Sequence, residues 1–143
     1  MIERRAVFVD TSAWFALAAT GDANHAVAAR LFPRMLAGRG TVTTTNHVIS
    51  ESFTLARRRL GSLAALEFLR RIRATERIRR VFVPESWEAE AERLLERYDD
   101  QPFSYVDATS FVAMRRLGIH EAFAFDRDFL AAGFTLVTDA QFE

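Results

Sequence analysis

The segment Ala6-Val7-Phe8-Val9-Asp10 decides the fold class of this chain. A short run of apolar residues that stops at an acidic residue is typical of a buried strand. Thr11 and Ser12 can cap a helix, and Ala13–Ala19 has the composition of one. The chain therefore passes from a buried strand directly into a helix, with Asp10 at the carboxyl end of the strand.

The same alternation continues to the end of the chain. Further strands are predicted at residues 41–44, 80–83, 122–125 and 134–137. Helices are predicted at 25–37, at about 62–76 and at 87–98, the last after a Ser86 cap. Another helix is predicted to start at a Thr45 or Asn46 cap, and one more runs from the capping box Ser104–Asp107 to about Arg116. Strands that alternate with helices predict an α/β sandwich with a mainly parallel sheet, and no linker divides residues 1–143.

Length and composition bound the class of protein. The chain has 143 residues, 50% of them hydrophobic and 27% charged, which fits one folded domain. It contains no apolar run of about 20 residues, so no membrane span is predicted. The apolar stretch before Asp10 is too short for a secretory signal, which makes the cytoplasm the expected compartment. The absence of Cys excludes thiolate catalysis and Cys-ligated zinc, and the three His are far apart.

Charge is distributed unevenly along the chain. All 19 basic residues are Arg; residues 1–83 carry 14 of them against 6 acids (net +8), and residues 84–143 carry 5 against 13 acids (net −8). Between residues 57 and 80, nine Arg face only Glu67 and Glu76. Concentrated positive charge of this kind favours phosphate binding, and Arg57, Arg58 and Arg59 are the candidate RNA-binding residues.

Four acidic residues come from distant segments. Asp10 and Asp126 follow strands, Asp107 lies in the first turn of a helix, and Glu51 lies on the helix after the second strand. Functional groups of α/β sheets gather at the carboxyl ends of strands, so these side chains could share one pocket. Carboxylates brought that close repel one another and must take up protons or bind a cation. Oxygen ligands favour Mg²⁺ or Mn²⁺, which can activate water for the hydrolysis of a phosphodiester.

Four motifs in order resemble the PIN domain family, and most of all its VapC-type toxins. They are the segments 10–14, 44–51, 104–108 and 124–129, and the similarity extends to Phe134. The resemblance implies a three-layer α/β/α sandwich that acts as a Mg²⁺- or Mn²⁺-dependent endoribonuclease. It implies an acidic quartet of Asp10, Glu51, Asp107 and Asp126, in which Glu51 is a metal ligand or orients water. Ser12 resembles a hydroxyl that holds the first acid, and Asn46 a polar residue at the pocket rim.

The resemblance leaves the role of Asp128 open, because the family varies at that position. Asp128 either extends the metal site or caps the helix that begins at Phe129, and the cap is the favoured interpretation. The resemblance also implies a homodimer and a cognate antitoxin, in a complex of higher order. A short amphipathic antitoxin helix would lie in an apolar groove, which an apolar helix such as 62–72 could line.

Three other functions compete with a toxin ribonuclease. One is a housekeeping PIN-like nuclease for RNA maturation or DNA flaps. Another is an RNA-binding module without catalysis, whose RNA binding would need no metal and would survive Asp107→Asn. The third is a phosphatase or receiver-like protein, which is expected to use a Lys in its site; the absence of Lys counts against it.

Overall fold

The fold is taken from a computed structural model, which describes residues 6–38 and 40–138. Within these residues, five strands form one sheet: β1 (Val7–Val9), β2 (Val42–Thr45), β3 (Ile78–Val81), β4 (Glu121–Phe123) and β5 (Thr135–Leu136). Seven helices surround it: α1 (Thr11–Ala18), α2 (His25–Ala37), α3 (Asn46–Leu60), α4 (Ser62–Ala74), α5 (Glu85–Arg97), α6 (Tyr105–Leu117) and α7 (Asp128–Ala131). The predicted domain, 1–143, also includes residues 1–5, 39 and 139–143, which lie outside the described residues.

The sheet has the strand order β3-β2-β1-β4-β5, and every pair in it is parallel. The chain winds outward from β1 to β3, then returns past β1 to form β4 and β5. Since parallel crossovers are right-handed, reversal of the winding direction places α1–α4 on one face and α5–α7 on the other. The predicted three-layer α/β/α sandwich is confirmed, with a sheet that is wholly parallel in the described part.

Apolar side chains from both faces fill the core. Phe8, Phe111, Phe123 and Phe129 are fully buried, and the rings of Phe111 and Phe129 meet edge to face at a centroid distance of 5.1 Å. The three residues of β1 are all buried, as expected for the central strand of a covered parallel sheet. No helix within the described residues is long and apolar enough to cross a membrane.

Several predicted boundaries move by a few residues. The strand predicted at 80–83 lies at Ile78–Val81, because β2 and β3 pair in register from Val42–Ile78 to Thr45–Val81. Phe82, which follows the pairing, is exposed. The last strand shortens to Thr135–Leu136, and β4 begins one residue earlier than predicted and ends at Phe123.

Two predicted helix starts are wrong, and one helix ends early. Asp10, rather than Thr11 or Ser12, is the N-cap of α1. Ser86 does not cap α5, which begins at Glu85 after Pro84 and has no side-chain cap. Proline has a fixed φ and no N–H, so it suits the position just before a helix without a capping bond. The helix predicted at 62–76 ends at Ala74.

Candidate active site

Two of the predicted acids lie where the winding of the sheet reverses. Strands β1 and β4 are neighbours there, and the backbone N–H of Asp10 donates to the Phe123 carbonyl at 3.1 Å. A crevice forms at the carboxyl ends of strands at such a reversal, since adjacent crossovers leave on opposite faces. Asp10 follows β1 and Asp126 lies three residues after β4, which brings these carboxyls to one edge of the sheet.

Asp10 is almost fully buried, with 3% of its surface exposed. Its Oδ2 accepts hydrogen bonds from the Ser12 backbone N–H at 3.5 Å and from the Ser12 hydroxyl at 3.2 Å. The same hydroxyl accepts a hydrogen bond from the Phe125 N–H at 3.0 Å. Ser12 therefore links the first acidic segment to the loop that carries Asp126.

Asp107 reaches the site from the first turn of α6. The Asp107 N–H donates to the Ser104 hydroxyl at 3.0 Å, and the Ser104 N–H donates to Asp107 Oδ2 at 3.0 Å. This reciprocal pair is the predicted capping box, with Asp at the position usually held by Glu. The box fixes the Asp107 carboxyl at the start of α6, with one oxygen engaged in the cap.

Asp128 does not cap a helix that begins at Phe129. Helix α7 begins at Asp128 itself, its N-cap is Arg127, and no side chain caps it. The Asp126 Oδ1 instead accepts from the Asp128 N–H at 3.1 Å. The favoured interpretation of Asp128 is therefore wrong: Asp126 supplies the local hydrogen bond, and the Asp128 carboxylate acts on the other acids through its charge.

The acids are electrostatically coupled. Burial, followed by the charges of Asp126 and Asp107, raises the pKa of Asp10 to about 7. Burial, with the charges of Asp128 and Asp126, raises the pKa of Asp107 to about 6 against the opposing effect of the Ser104 hydrogen bond. Burial is also the main cause that raises the pKa of Asp126, while a hydrogen bond from Asp10 lowers it. With these pKa values, Asp10 and Asp107 take up protons at a higher pH than free carboxyls do, unless a cation neutralises them.

Glu51 lies on the wall of an adjacent cleft rather than in this coupled cluster. The charges that raise the Asp10 pKa are those of Asp126 and Asp107. The cleft has a volume of about 410 Å³ and is lined by Thr11, His47, Ser50, Glu51, Thr54, Leu55, Arg58 and Val106. Thr11 and Val106 are the chain neighbours of Asp10 and Asp107, so the cleft adjoins the acids. The structure brings three predicted acids together, adds Asp128, and places Glu51 beside them.

The three candidate RNA-binding arginines differ in their surroundings. Arg58 lines the cleft together with Glu51. Arg57 donates to the Ser62 hydroxyl at 2.9 Å, and the Arg59 guanidinium lies 5.6 Å from the centroid of the Phe15 ring. Only Arg58 of the three is a lining residue of the cleft.

Two residues at the start of α3 connect the cleft to α5. The Asn46 side-chain oxygen accepts from the Val83 N–H at 2.9 Å, which anchors the connection between β3 and α5. His47 lines the cleft, and its Nε2 lies 2.9 Å from Glu88 Oε1. Thr11, which the sequence indicated only as a helix cap, also lines the cleft, and its buried hydroxyl has no hydrogen-bond partner among the described residues. Its position directly after Asp10 in the sequence could have indicated that it lies at the site.

The donor set suits a hard divalent cation. Every group in the cluster is a carboxylate, and oxygen ligands are those that Mg²⁺ and Mn²⁺ prefer. In the geometry of the described residues, no group of three or more His, Asp or Glu side chains is close enough to enclose a metal ion. After burial, the charges of Asp126 and Asp107 nonetheless contribute to the raised pKa of Asp10, so the acids act on one another.

Comparison with known proteins places these features in a family. The PIN domain family model matches residues 7–135. The 23S rRNA-specific endonuclease VapC20 of Mycobacterium tuberculosis is 45% identical over 131 residues, which cover 92% of this chain and 97% of VapC20.

Solved structures agree on the fold. The crystal structure of M. tuberculosis VapC20, described as a Sarcin-Ricin loop cleaving toxin, matches with a TM-score of 0.84 and 44% identity over 90% of this chain and 96% of that one. VapBC2 from Rickettsia felis, bound to a promoter DNA fragment, matches with a TM-score of 0.65 and 10% identity over 92% and 97% of the two chains. FitAcB from Neisseria gonorrhoeae matches with a TM-score of 0.62 and 14% identity over 92% and 96%. The last two likenesses concern the fold alone. The chain belongs to the PIN domain family and resembles its VapC-type members along almost its whole length.

Proposed function

We propose that this protein is a Mg²⁺- or Mn²⁺-dependent endoribonuclease and the toxin of a toxin–antitoxin pair. The observation that carries the proposal is the placement of Asp10 and Asp126 after the neighbouring strands β1 and β4, where the Ser12 hydroxyl bonds both the Asp10 carboxyl and the Phe125 N–H. The charges of Asp126 and Asp107 act on Asp10 there. Three carboxyls held together against their own repulsion are stabilised most simply by a cation. The likeness to VapC20 supports the same conclusion.

In this proposal Asp10, Asp107 and Asp126 hold the metal, and Glu51 and Asp128 are further candidate ligands. When bound, such an ion can activate water and stabilise charge on a phosphodiester. The protein supplies the positions: Ser12 orients Asp10, the capping box orients Asp107, and the backbone of Asp128 orients Asp126. Glu51 is on the cleft wall, where it can accept a proton from water or orient it. Arg58, on the same wall, can attract the phosphate backbone.

We propose ribosomal RNA as the substrate class. VapC20 is named as a 23S rRNA-specific endonuclease, and the match spans 92% of this chain. The test is incubation of purified protein with 23S rRNA in Mg²⁺, in Mn²⁺ and in EDTA, followed by mapping of the new ends. We expect a discrete cut with either metal and none in EDTA. Cleavage in EDTA would contradict the metal-dependent mechanism.

The Asp10→Asn variant tests the role of the cluster. We expect cleavage to fall by more than about 100-fold, because even outer partners of a metal ligand contribute 10- to 100-fold. Expression of the wild-type protein alone should arrest growth, and the variant should relieve the arrest. Retention of full cleavage by a folded Asp10→Asn protein would contradict the proposed site.

An apolar groove offers a place for the antitoxin. Helices α1, α2 and α4 enclose a groove of about 540 Å³, whose apolar wall includes Trp14, Phe32, Phe68 and Ile72. We propose that an amphipathic antitoxin helix lies there, with an antitoxin Arg near the acids. Ala64 lines the groove, whereas Ala74 lies on α4 outside it. Ala64→Glu should abolish co-purification with the product of the neighbouring gene, and Ala74→Glu should preserve it; equal retention by both would contradict this placement.

We also propose a homodimer. Leu63 and Leu66, three residues apart on α4, are 83% and 41% exposed, and an adjoining pair of exposed apolar side chains favours burial against a second copy. Light scattering of the purified protein should give twice the mass of one chain, and Leu63→Glu should reduce it. A wild-type mass of one chain across concentrations would contradict the dimer.

A further inference from the structure

A second cleft lies between α5 and α6, at the end of α6 far from the acids. It has a volume of about 200 Å³ and is lined by Glu90, Arg93, Leu94, Arg97, Val112, Arg115 and Arg116. Four cations face one carboxylate there, although the chain from residue 84 onward carries a net charge of −8. The positive charge of the cleft is therefore opposite to the net charge of the segment that forms it.

Two of the arginines are held in place by the protein. The Arg116 Nε and Nη2 atoms donate to the two oxygens of Glu90 at 3.0 and 2.9 Å. Arg115 Nη2 donates to the Ala132 carbonyl at 3.3 Å, and its guanidinium lies 5.7 Å from the centroid of the Phe134 ring. A side chain that is already fixed loses less conformational entropy when it binds a ligand.

The other two arginines are open to a ligand. Arg93 and Arg97 are exposed and lie one turn apart on α5. Neither makes a hydrogen bond or ion pair with any residue in 6–38 or 40–138. Like charges four residues apart on a helix repel each other, so an anion between them is stabilising. Glu90 neutralises one of the four charges, which leaves the cleft with a net charge of about +3.

The chemistry of the cleft selects phosphate. The planar guanidinium group matches the oxygens of a phosphate through paired N–H donors. Helix α6 carries Asp107 in its first turn and Arg115 in its last, about 12 Å apart at 1.5 Å per residue. A polynucleotide is long enough to reach both, whereas a single phosphate at the acids is not.

We propose that this arginine cleft, formed by Arg93, Arg97, Arg115 and Arg116, binds a backbone phosphate of the RNA remote from the bond that is cleaved. The statement that this RNA is also the substrate rests on the proposed ribonuclease function, whereas phosphate binding by the cleft does not. The cleft extends the footprint of the protein on a long or structured RNA, and it contributes affinity and salt dependence without touching the reacting atoms.

The test measures binding in an Asp10→Asn background, which removes cleavage. A fluorescein-labelled RNA stem–loop is titrated at several salt concentrations, with anisotropy as the readout. The Arg93→Gln/Arg97→Gln pair should weaken binding about 10-fold and reduce the salt slope by about one, since the cleft holds one phosphate and each phosphate contact contributes about one. The Arg93→Lys/Arg97→Lys pair keeps the charge and should restore most of the slope.

Two controls separate the cleft from a general loss of charge. Arg30→Gln/Arg34→Gln removes two exposed arginines with the same spacing on α2, outside the cleft, and should change the slope little. A dinucleotide RNA, whose single phosphate cannot occupy the acids and the cleft at once, should show a much smaller difference between the cleft variant and its parent than the stem–loop does. Thermal unfolding of the cleft variants should match that of their parent, because Arg93 and Arg97 are exposed.

Three results would overturn the proposal. They are an unchanged affinity for the stem–loop, a loss no greater than that of the Arg30/Arg34 control, or a salt slope that the Arg93→Gln/Arg97→Gln pair leaves unchanged. Failure of the ribonuclease function has a different signature. In that case the protein with Asp10 intact cuts no RNA, while the binding measured here keeps its dependence on the arginine cleft.

Discussion

At the scale of single residues, Asp10 combines structural and chemical roles that oppose each other. Its carboxyl caps α1 through Ser12, and its backbone N–H joins β1 to β4. The same carboxyl is buried beside Asp126 and Asp107, which raises its pKa to about 7. The residue that begins α1 is therefore also one whose charge costs stability in the absence of a cation.

This conflict predicts how stability depends on pH. Asp10 has an ordinary pKa of 3.8 and a folded pKa of about 7, so between these values the folded protein holds more protons than the unfolded chain. Stability in EDTA should therefore fall as pH rises from about 4 to about 7. Asp10→Asn should remove much of this fall, so its Tm relative to wild type should be higher at pH 8 than at pH 4. A constant difference in Tm between these pH values would contradict the coupling.

The arginines after α3 also differ one by one. Arg58 lines the cleft beside Glu51, whereas Arg57 and Arg59 are engaged by Ser62 and Phe15. Neutralising all three should weaken RNA binding and flatten its salt dependence. Arg58→Gln alone should account for most of that effect and reduce the salt slope by about one. Equal effects of the three single variants, measured by anisotropy, would show that the segment acts only as a diffuse charge.

At the scale of elements, the starts of α5 and α6 differ in how they are stabilised. Helix α6 begins with a full capping box between Ser104 and Asp107, whereas α5 begins after Pro84 without a side-chain cap. The sequence offered a serine at both places. Ser104 precedes α6, so its hydroxyl can accept a hydrogen bond from the Asp107 N–H. Ser86 lies inside α5, one residue after its start, and therefore does not cap that helix.

Alanine substitutions at Ser104 and Ser86 test whether the serine before α6 stabilises the protein and the serine inside α5 does not. Ser104→Ala should lower the free energy of unfolding by about 1 kcal/mol, the usual contribution of an N-cap. It should also lower RNA cleavage modestly, since the first turn of α6, which carries Asp107, loses its hydroxyl cap while the Ser104 N–H still donates to the Asp107 carboxyl. Ser86→Ala is the matched control and should change both by little. Chemical denaturation and cleavage assays measure the two effects; equal losses in both variants would contradict the capping assignment.

At the scale of the whole molecule, the acids meet because the sheet reverses its winding at β1. Segments separated by more than 100 residues, at Ser12 and Phe125, are joined there by one hydrogen bond of 3.0 Å. A ligand that neutralises the acids therefore contacts segments from both ends of the chain, after β1 and after β4. Cation binding should be coupled to the stability of the complete domain rather than to one loop.

Addition of metal tests this coupling. Mg²⁺ or Mn²⁺ should raise the Tm of the wild-type protein at pH 8, because a ligand that binds only the folded state stabilises it. The increase should shrink at pH 5, where Asp10 and Asp107 are largely protonated, and it should largely disappear in Asp10→Asn. Calorimetry with each metal and with EDTA measures it. The same increase in the variant would point to binding elsewhere.

Sequence by itself determined the α/β class, the parallel sheet, the capping box of α6 and the identity of the candidate acids. These properties depend on local composition and on short motifs, which act over a few residues. Tertiary structure alone decided which acids couple, since Asp126 and Asp107 act on Asp10 across the sheet while Glu51 lies on the neighbouring wall. It also decided that Asp128 joins the cluster through its charge and that four arginines from α5 and α6 share a cleft. Electrostatic energy depends on distance and burial in the folded chain, and neither can be read from separation along the sequence.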